Sequence, residues 1–225
     1  NRFSPLVQLL RDAIAVGRLG SPLVFTLGAY DERYDPTNAA HLARMNRFLS
    51  RAPAFVHEGA HLADYVAFLT GSRPIRASAS GIRTRTDLQG ENFVAANVEW
   101  ATGDLARLEV GWLVPALPAG HFRVLGPLAS AEIIRREGRL VFDDGGETEE
   151  HELERSWNAV CFEYQLAHFV AAVRGEVAPS PTTADGLASL ELGAAVVTSM
   201  REHRVVDMAV RSVAHSSVGA PKGMP

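Results

Sequence analysis

Residues 55–65, FVHEGAHLADY, put two imidazoles and two carboxylates within eight positions: His57, Glu58, His61 and Asp64. More than one chemistry fits that spacing. In one, His57 and His61, a helical turn apart, grip a zinc ion while Glu58 activates a water, as in H-E-x-x-H hydrolases. In another, an imidazole that titrates near neutrality moves a proton, and a carboxylate one turn further on orients it. At about 100° per residue, His57, His61 and Asp64 share one stripe, while Leu62, Tyr65, Val66 and Leu69 share another suited to packing on a sheet. An ordinary solvated polar face is the third reading of the same pattern.

The zinc reading finds little support elsewhere in the chain. A catalytic zinc takes a third protein ligand. The extended zinc-peptidase pattern asks for glycine at position 64 and histidine at position 67, where this chain has Asp64 and Ala67. Glu163 and His168 read as the edge of an amphipathic helix, and Gly59 would loosen a helix that must hold two ligands rigidly. Lys222 is the only lysine, against 21 arginines, so no amine before the tail can act as a Schiff-base nucleophile.

The elements that must position these side chains follow a clear order. A helix opens at Ser4-Pro5, carries the stripe Leu6, Leu9, Leu10, Ala13 and Ile14, and stops at Gly17. A strand over 22–30, an exposed loop over 31–39 and a short helix near 40–49 lead to the histidine helix, about 57–70, ended by Gly71. From there the hydrophobic period changes from 3.6 to 2. Strands are expected at 74–84, 92–102 and 105–115, with a tight turn at Thr102-Gly103-Asp104, and then at 121–126, 130–137 and 140–144. The acidic stretch 143–156 reads as a solvated loop. Helices at 157–175 and 184–203 close the domain, and 208–225 reads as a flexible tail. The expected fold class is therefore α+β: an open, mostly antiparallel sheet with helices over one face. Trp100 and Trp112, with Glu99, Arg107 and Glu109, fall either on the free face as an interface or, for the tryptophans, in the core.

Composition narrows the partners. The chain has 225 residues, 47% hydrophobic and 21% charged, which is ordinary for a globular domain. A net charge of −4 without a basic block argues against nucleic acid and anionic membranes. No apolar run reaches spanning length and the opening residues lack a signal-peptide layout. Cys161 is the only cysteine, which excludes an intramolecular disulfide and a cysteine metal site. A cytoplasmic protein is expected.

The order of three motifs carries a resemblance. NRFSPLVQLLRDAIAVGRLGSPLVF, EGAHLADYVAFLTGSRPIRASA and FEYQLAHFVAAVRGEVAPSPTTADGLASLELGAAVVTSMREHRVV together resemble the C-terminal domain of the glucose–fructose oxidoreductase / myo-inositol dehydrogenase (Gfo/Idh/MocA) family, from residue 1 to about 207. The resemblance implies a substrate-binding and dimerisation domain of an NAD(P)-dependent oxidoreductase acting on a sugar, polyol or related hydroxy compound. His61 matches the histidine that bonds the reacting hydroxyl. Asp64 matches the aspartate one turn later that in several members touches substrate or orients the site, and His57, also expected to meet substrate, stands where many members carry an aspartate. NAD or NADP would bind mainly to a Rossmann domain, since this sequence has no G-x-G-x-x-G after a strand. No cofactor or metal site is expected within the chain itself, and no turnover by it alone. A homodimer through the open sheet face is expected. The alternatives are a non-catalytic ligand-binding or assembly module of the same fold and the zinc hydrolase.

Overall fold

The computed structural model describes residues 2–208. The expected tail, 208–225, lies outside the described residues except for Met208. Nine strands form one sheet among those residues: β1 (Val24–Asp31), β2 (Pro74–Ile82), β3 (Phe93–Trp100), β4 (Leu105–Trp112), β5 (Phe122–Leu125), β6 (Ser130–Ile134), β7 (Arg139–Asp143), β8 (Thr148–Glu152) and β9 (Val206–Asp207). Their order is β8-β7-β6-β5-β1-β4-β3-β2-β9. Every neighbouring pair is antiparallel except β1 and β4, which run parallel from Val24↔Leu105 to Asp31↔Trp112. That parallel pair brings two strand ends side by side, which a run of hairpins alone would not do.

The alternation read from the sequence is the alternation of burial. Val94, Ala96, Val98 and Trp100 on β3, and Ala106, Leu108, Val110 and Trp112 on β4, point into the core. Both tryptophans are therefore core residues, 1% and 4% exposed, and take no part in the free face. The aromatic residues on that face are Tyr30 and Phe93, with ring centroids 6.5 Å apart, and His121, 6.3 Å from Tyr30. The His121 ring lies over Gly28, where a Cβ would come within 2.3 Å of it. Around these rings the face is polar: Arg76 pairs with Glu99 and Asp207, and Arg123 with Glu132.

Helices cover the other face. α1 (Pro5–Ala15) buries Leu6, Val7, Leu10 and Ala13. α2 (Ala39–Leu49) is N-capped by Asn38, whose side chain accepts the His41 N–H, and buries Met45 and Leu49. α3 (Ala60–Thr70) buries Leu62, Tyr65, Val66 and Leu69, the expected packing stripe, and ends on Gly71 at φ 62°. α5 (Thr183–Glu202) starts with a reciprocal cap between Thr182 and Asp185. α4 (Trp157–Val173) departs from the amphipathic helix expected there. Beyond Cys161 its apolar side chains face solvent, with Phe162, Leu166, Phe169 and Val173 all more than 60% exposed. The acidic stretch also differs from expectation, because 148–152 forms the edge strand β8. Its residues, Thr-Glu-Glu-His-Glu, carry no apolar alternation, and their charges guard the free edge. No helix among the described residues is long and apolar enough to cross a membrane.

Candidate functional site

The histidine stretch is not one regular helix. Phe55–Gly59 forms a π-helical turn that runs into α3 at Ala60. A π-turn holds more than 3.6 residues, so it breaks the phase that put His57, His61 and Asp64 in one stripe. Gly59 takes part in that turn. Phe55, 1% exposed, lies against it, and a Cβ on Gly59 would come within 2.7 Å of the Phe55 ring. The glycine allows close packing rather than loosening a ligand helix.

The three residues singled out by the sequence consequently have separate neighbourhoods. His61 is exposed on the first turn of α3. His57 is half-buried, its ring stacked on Trp112 at 5.0 Å and 21° and met edge-on by Phe48 at 5.5 Å. Burial pushes the His57 pKa down, favouring the neutral imidazole, and its Nε2 is buried without a hydrogen-bond partner. Asp64 faces the start of the chain. The Arg2 guanidinium donates from Nε to its Oδ2 at 2.8 Å and from Nη2 to its Oδ1 at 2.5 Å, and Asp185 lies 3.2 Å from the same Nη2. Arg2 is 8% and Asp64 26% exposed, so this is a part-buried bidentate pair tying the chain start to α3 and α5.

Glu58, read from the sequence only as a possible zinc base, belongs with His61. Burial raises its pKa, and the carboxylates of Asp31 and Glu32 push the same way, while His61 and Arg135 pull it back. Asp31 ends β1, and Glu32 follows it in the left-handed region at φ 55°. Leu113, just past β4, is left-handed too, at φ 54°, and its N–H donates to the Glu32 carbonyl at 2.7 Å. Two adjacent non-glycine residues held there mark a backbone that the surroundings over-determine. Asn92, fully buried, fixes this end: its side chain donates to the Trp112 carbonyl at 2.7 Å, and its own carbonyl accepts the Trp112 N–H at 2.8 Å. The carboxyl ends of β1 and β4, the π-turn and the first turn of α3 thus surround one acidic, imidazole-bearing patch. No sequence signal pointed to Glu32, Asn92 or Trp112 as parts of it.

Such a patch can hold hydroxyl groups through its carboxylates and pass a proton through an exposed imidazole. Among the described residues, no three His, Cys, Asp or Glu side chains converge where they could hold a metal ion. His57 and His61, facing different surroundings, do not form a two-imidazole grip.

The sequence signature described as the oxidoreductase family, C-terminal alpha/beta domain, of the Gfo/Idh/MocA proteins matches residues 11–208. The chain belongs to that family. Solved structures with the same fold include an oxidoreductase domain protein from Kribbella flavida, with a TM-score of 0.75 at 18% identity over 92% of this chain and 65% of that one. The aldose-aldose oxidoreductase from Caulobacter crescentus, complexed with glycerol, gives 0.74 at 21% identity over 92% and 62%. An inositol dehydrogenase homolog from Azotobacter vinelandii, complexed with NADH and myo-inositol, gives 0.73 at 16% identity over 92% and 62%. This chain thus spans 62–65% of the length of these three neighbours. No curated protein matches it by sequence.

Proposed function

We propose that residues 1–207 are the substrate-binding and oligomerisation domain of an NAD(P)-dependent oxidoreductase that acts on a sugar, polyol or related hydroxy compound. The observation that carries this reading is the placement of exposed His61 beside half-buried Glu58, at the paired ends of β1 and β4. In it, His61 accepts the proton of the reacting hydroxyl, and Asp31, Glu32 and Glu58 hold the neighbouring hydroxyls in register. His57 acts from the side, as one wall of the pocket, and Asp64 acts at one remove by fixing α3 through Arg2. The neighbours complexed with NADH, myo-inositol and glycerol support the substrate class.

The described residues do not fit a dinucleotide. The parallel pair among the described residues ends on Asp31 and Trp112 and runs into Glu32 and Leu113 rather than into a glycine-rich turn and a helix, so no pyrophosphate cradle forms there. The nucleotide is therefore assigned to a separate nucleotide-binding domain, and α4 supplies a surface for it. Its exposed stripe of Phe162, Leu166, Phe169 and Val173 is an apolar surface suited to a partner, and the length by which the neighbours exceed this chain is enough for such a domain. For the free sheet face the occupant is a second copy, seated on Tyr30, Phe93 and His121 with Arg107 nearby, residue types enriched at interfaces. The lone cysteine is buried and free, which suits a reducing cytoplasm.

The test is the rate of NAD(P) reduction by the enzyme that carries its nucleotide-binding domain. His61→Ala should lower kcat by about 10²–10⁴-fold, the usual worth of a positioned base. It should leave the melting temperature within about 1 °C, because an exposed side chain contributes little to stability. An unchanged kcat overturns the assignment. Sedimentation that finds only monomer at high concentration overturns the homodimer.

A further inference from the structure

A cavity that shares no lining residue with the His61 patch opens between the end of α2, the loop joining β2 to β3 and the last turn of α5. It measures about 470 Å³, within the ~300–1,000 Å³ of small-molecule pockets. Arg51, Arg83 and Arg201 line it, one from each of those elements, together with Ser50, Gln89 and Glu91. Backbone contacts set its frame. The Ala54 N–H donates to the Glu91 carbonyl at 3.1 Å and the Gln89 N–H to Asn46 Oδ1 at 3.0 Å. Gly90 lies so near the end of α2 that a Cβ would come within 2.3 Å of the Leu49 carbonyl oxygen. Arg83 is anchored too, its Nη1 donating to the carbonyl of buried Leu88 at 3.2 Å. A ligand therefore meets a shape that is already formed.

The charge in this space is not balanced by the protein. Two residues along the same loop, Arg85 pairs with Asp87, and just beyond α5 Arg204 pairs with Glu202. Arg51, Arg83 and Arg201 have no carboxylate within 4.0 Å among the described residues. Residues 209–225 contain no Asp or Glu that could supply one. Glu91 is the one acidic side chain of the lining, so three arginines less one glutamate leave a surplus of two positive charges. The carbonyl ends of α2 and α5 offset at most about half a charge each. In a chain whose net charge is −4, three unpaired guanidiniums around one space repel one another and call for an anion. Guanidiniums arriving from three elements suit a tetrahedral oxyanion, whose oxygens also point in different directions. A planar carboxylate is satisfied by a single fork. Ser50, Gln89 and Glu91 suit hydroxyl groups. We propose that this cavity binds a phosphoryl group carried by a small hydroxylated phosphate ester. The site is independent of the reading given for His61.

Isothermal titration calorimetry of the full 225-residue chain, at fixed pH and ionic strength, tests the site. Inorganic phosphate should bind saturably at one site, and glycerol 3-phosphate about threefold more tightly or better, the effect of one added hydrogen bond. Glycerol and sodium acetate should give no saturable heat. Arg51→Gln and Arg201→Gln, changes at exposed side chains, should each weaken phosphate binding about tenfold, the effect of one lost charge-assisted bond. Arg123→Gln removes the same charge from the sheet face, where Arg123 pairs with Glu132, and should bind as the parent does. All three variants should melt within about 2 °C of the parent by circular dichroism, which separates lost binding from lost fold. No saturable heat with either phosphate, acetate binding as tightly, or Arg51→Gln and Arg201→Gln variants that bind like the parent overturns the site. An equal loss in Arg123→Gln reports overall charge rather than this cavity and overturns it as well. Glycerol 3-phosphate binding no more tightly than inorganic phosphate overturns the ester.

Discussion

Asp64, expected to touch substrate or to orient the site, is paired with Arg2 in the structure, and replacing it by asparagine separates a substrate contact from a structural one. The parent carboxylate accepts two charge-assisted bonds from an Arg2 side chain that is 8% exposed, while Asp64 itself is 26% exposed. Asp64→Asn keeps the size and one acceptor oxygen but loses the second bond and the balancing charge. Bonds to charged groups contribute about 1.5–3 kcal/mol. Two features favour the lower half of that range: Asp185 remains 3.2 Å from Nη2 as a counter-charge, and water reaches part of Asp64. The cost should be about 1.5–2.5 kcal/mol. A domain of this size loses about 2–4 °C per kcal/mol, so the melting temperature by circular dichroism should fall about 3–10 °C. A double-mutant cycle with Arg2→Met should show a coupling of at least about 1 kcal/mol, because each single change strands the other partner while the double change strands neither. If Asp64→Asn melts with the parent and the cycle is additive, the pair is not structural and a direct substrate role for Asp64 returns.

Three further outcomes follow from the same geometry. Glu58 has a raised pKa in the folded chain, so its contribution to stability is full below the unfolded value near 4.5 and is lost as pH rises through the folded one. Glu58→Gln, always neutral, should therefore be more stable than the parent to urea at pH 8 and lose that advantage at pH 4; a gain at pH 4 alone contradicts the argument. Asn92→Ala leaves the Trp112 carbonyl and the Thr84 N–H without their 2.7 Å and 2.8 Å partners and should cost about 1–3 kcal/mol in urea unfolding, with the Trp112 fluorescence shifting as the strand end loosens. Leu166→Lys with Phe169→Glu, at positions 64% and 63% exposed, should leave the melting temperature of this chain within about 2 °C yet abolish turnover in the enzyme bearing its nucleotide-binding domain; a large loss of stability in the isolated chain would mean that α4 is already covered.

Most of the architecture could be read from period alone. β3 and β4 alternate so regularly that both strands were legible from position, although the face that carries Trp100 and Trp112 was left open, and α1 carries its own punctuation in Ser4-Pro5 and Gly17. What escaped the sequence was set by packing at a distance. β8 offers no apolar period, since a charged edge strand is held by the ladder from β7 and not by burial. The parallel union of β1 with β4 joins residues about eighty positions apart, which no local pattern encodes. The π-turn brings the Phe55 ring against Gly59, where a Cβ would come within 2.7 Å of it, and in the shifted phase His57 stacks on Trp112. Glu58 was visible as a residue type. Its role was not, because the carboxylates that raise its pKa come from the end of β1.

The π-turn has a consequence for how the patch is held. Seated in a regular α-helix, His57 would share a face with His61, and both imidazoles would compete for the same ligand. With the extra residue in the turn, His57 is committed to the aromatic stack with Trp112 and Phe48, where burial keeps it neutral. Neutrality removes a positive charge from the residue next to Glu58. The stack also braces the π-turn against the end of β4, which Asn92 and the Glu32–Leu113 bond have already fixed. The backbone irregularity therefore gives two similar side chains different surroundings, His57 packed between Trp112 and Phe48 and His61 exposed on α3, which is the division of labour that the proposed function requires.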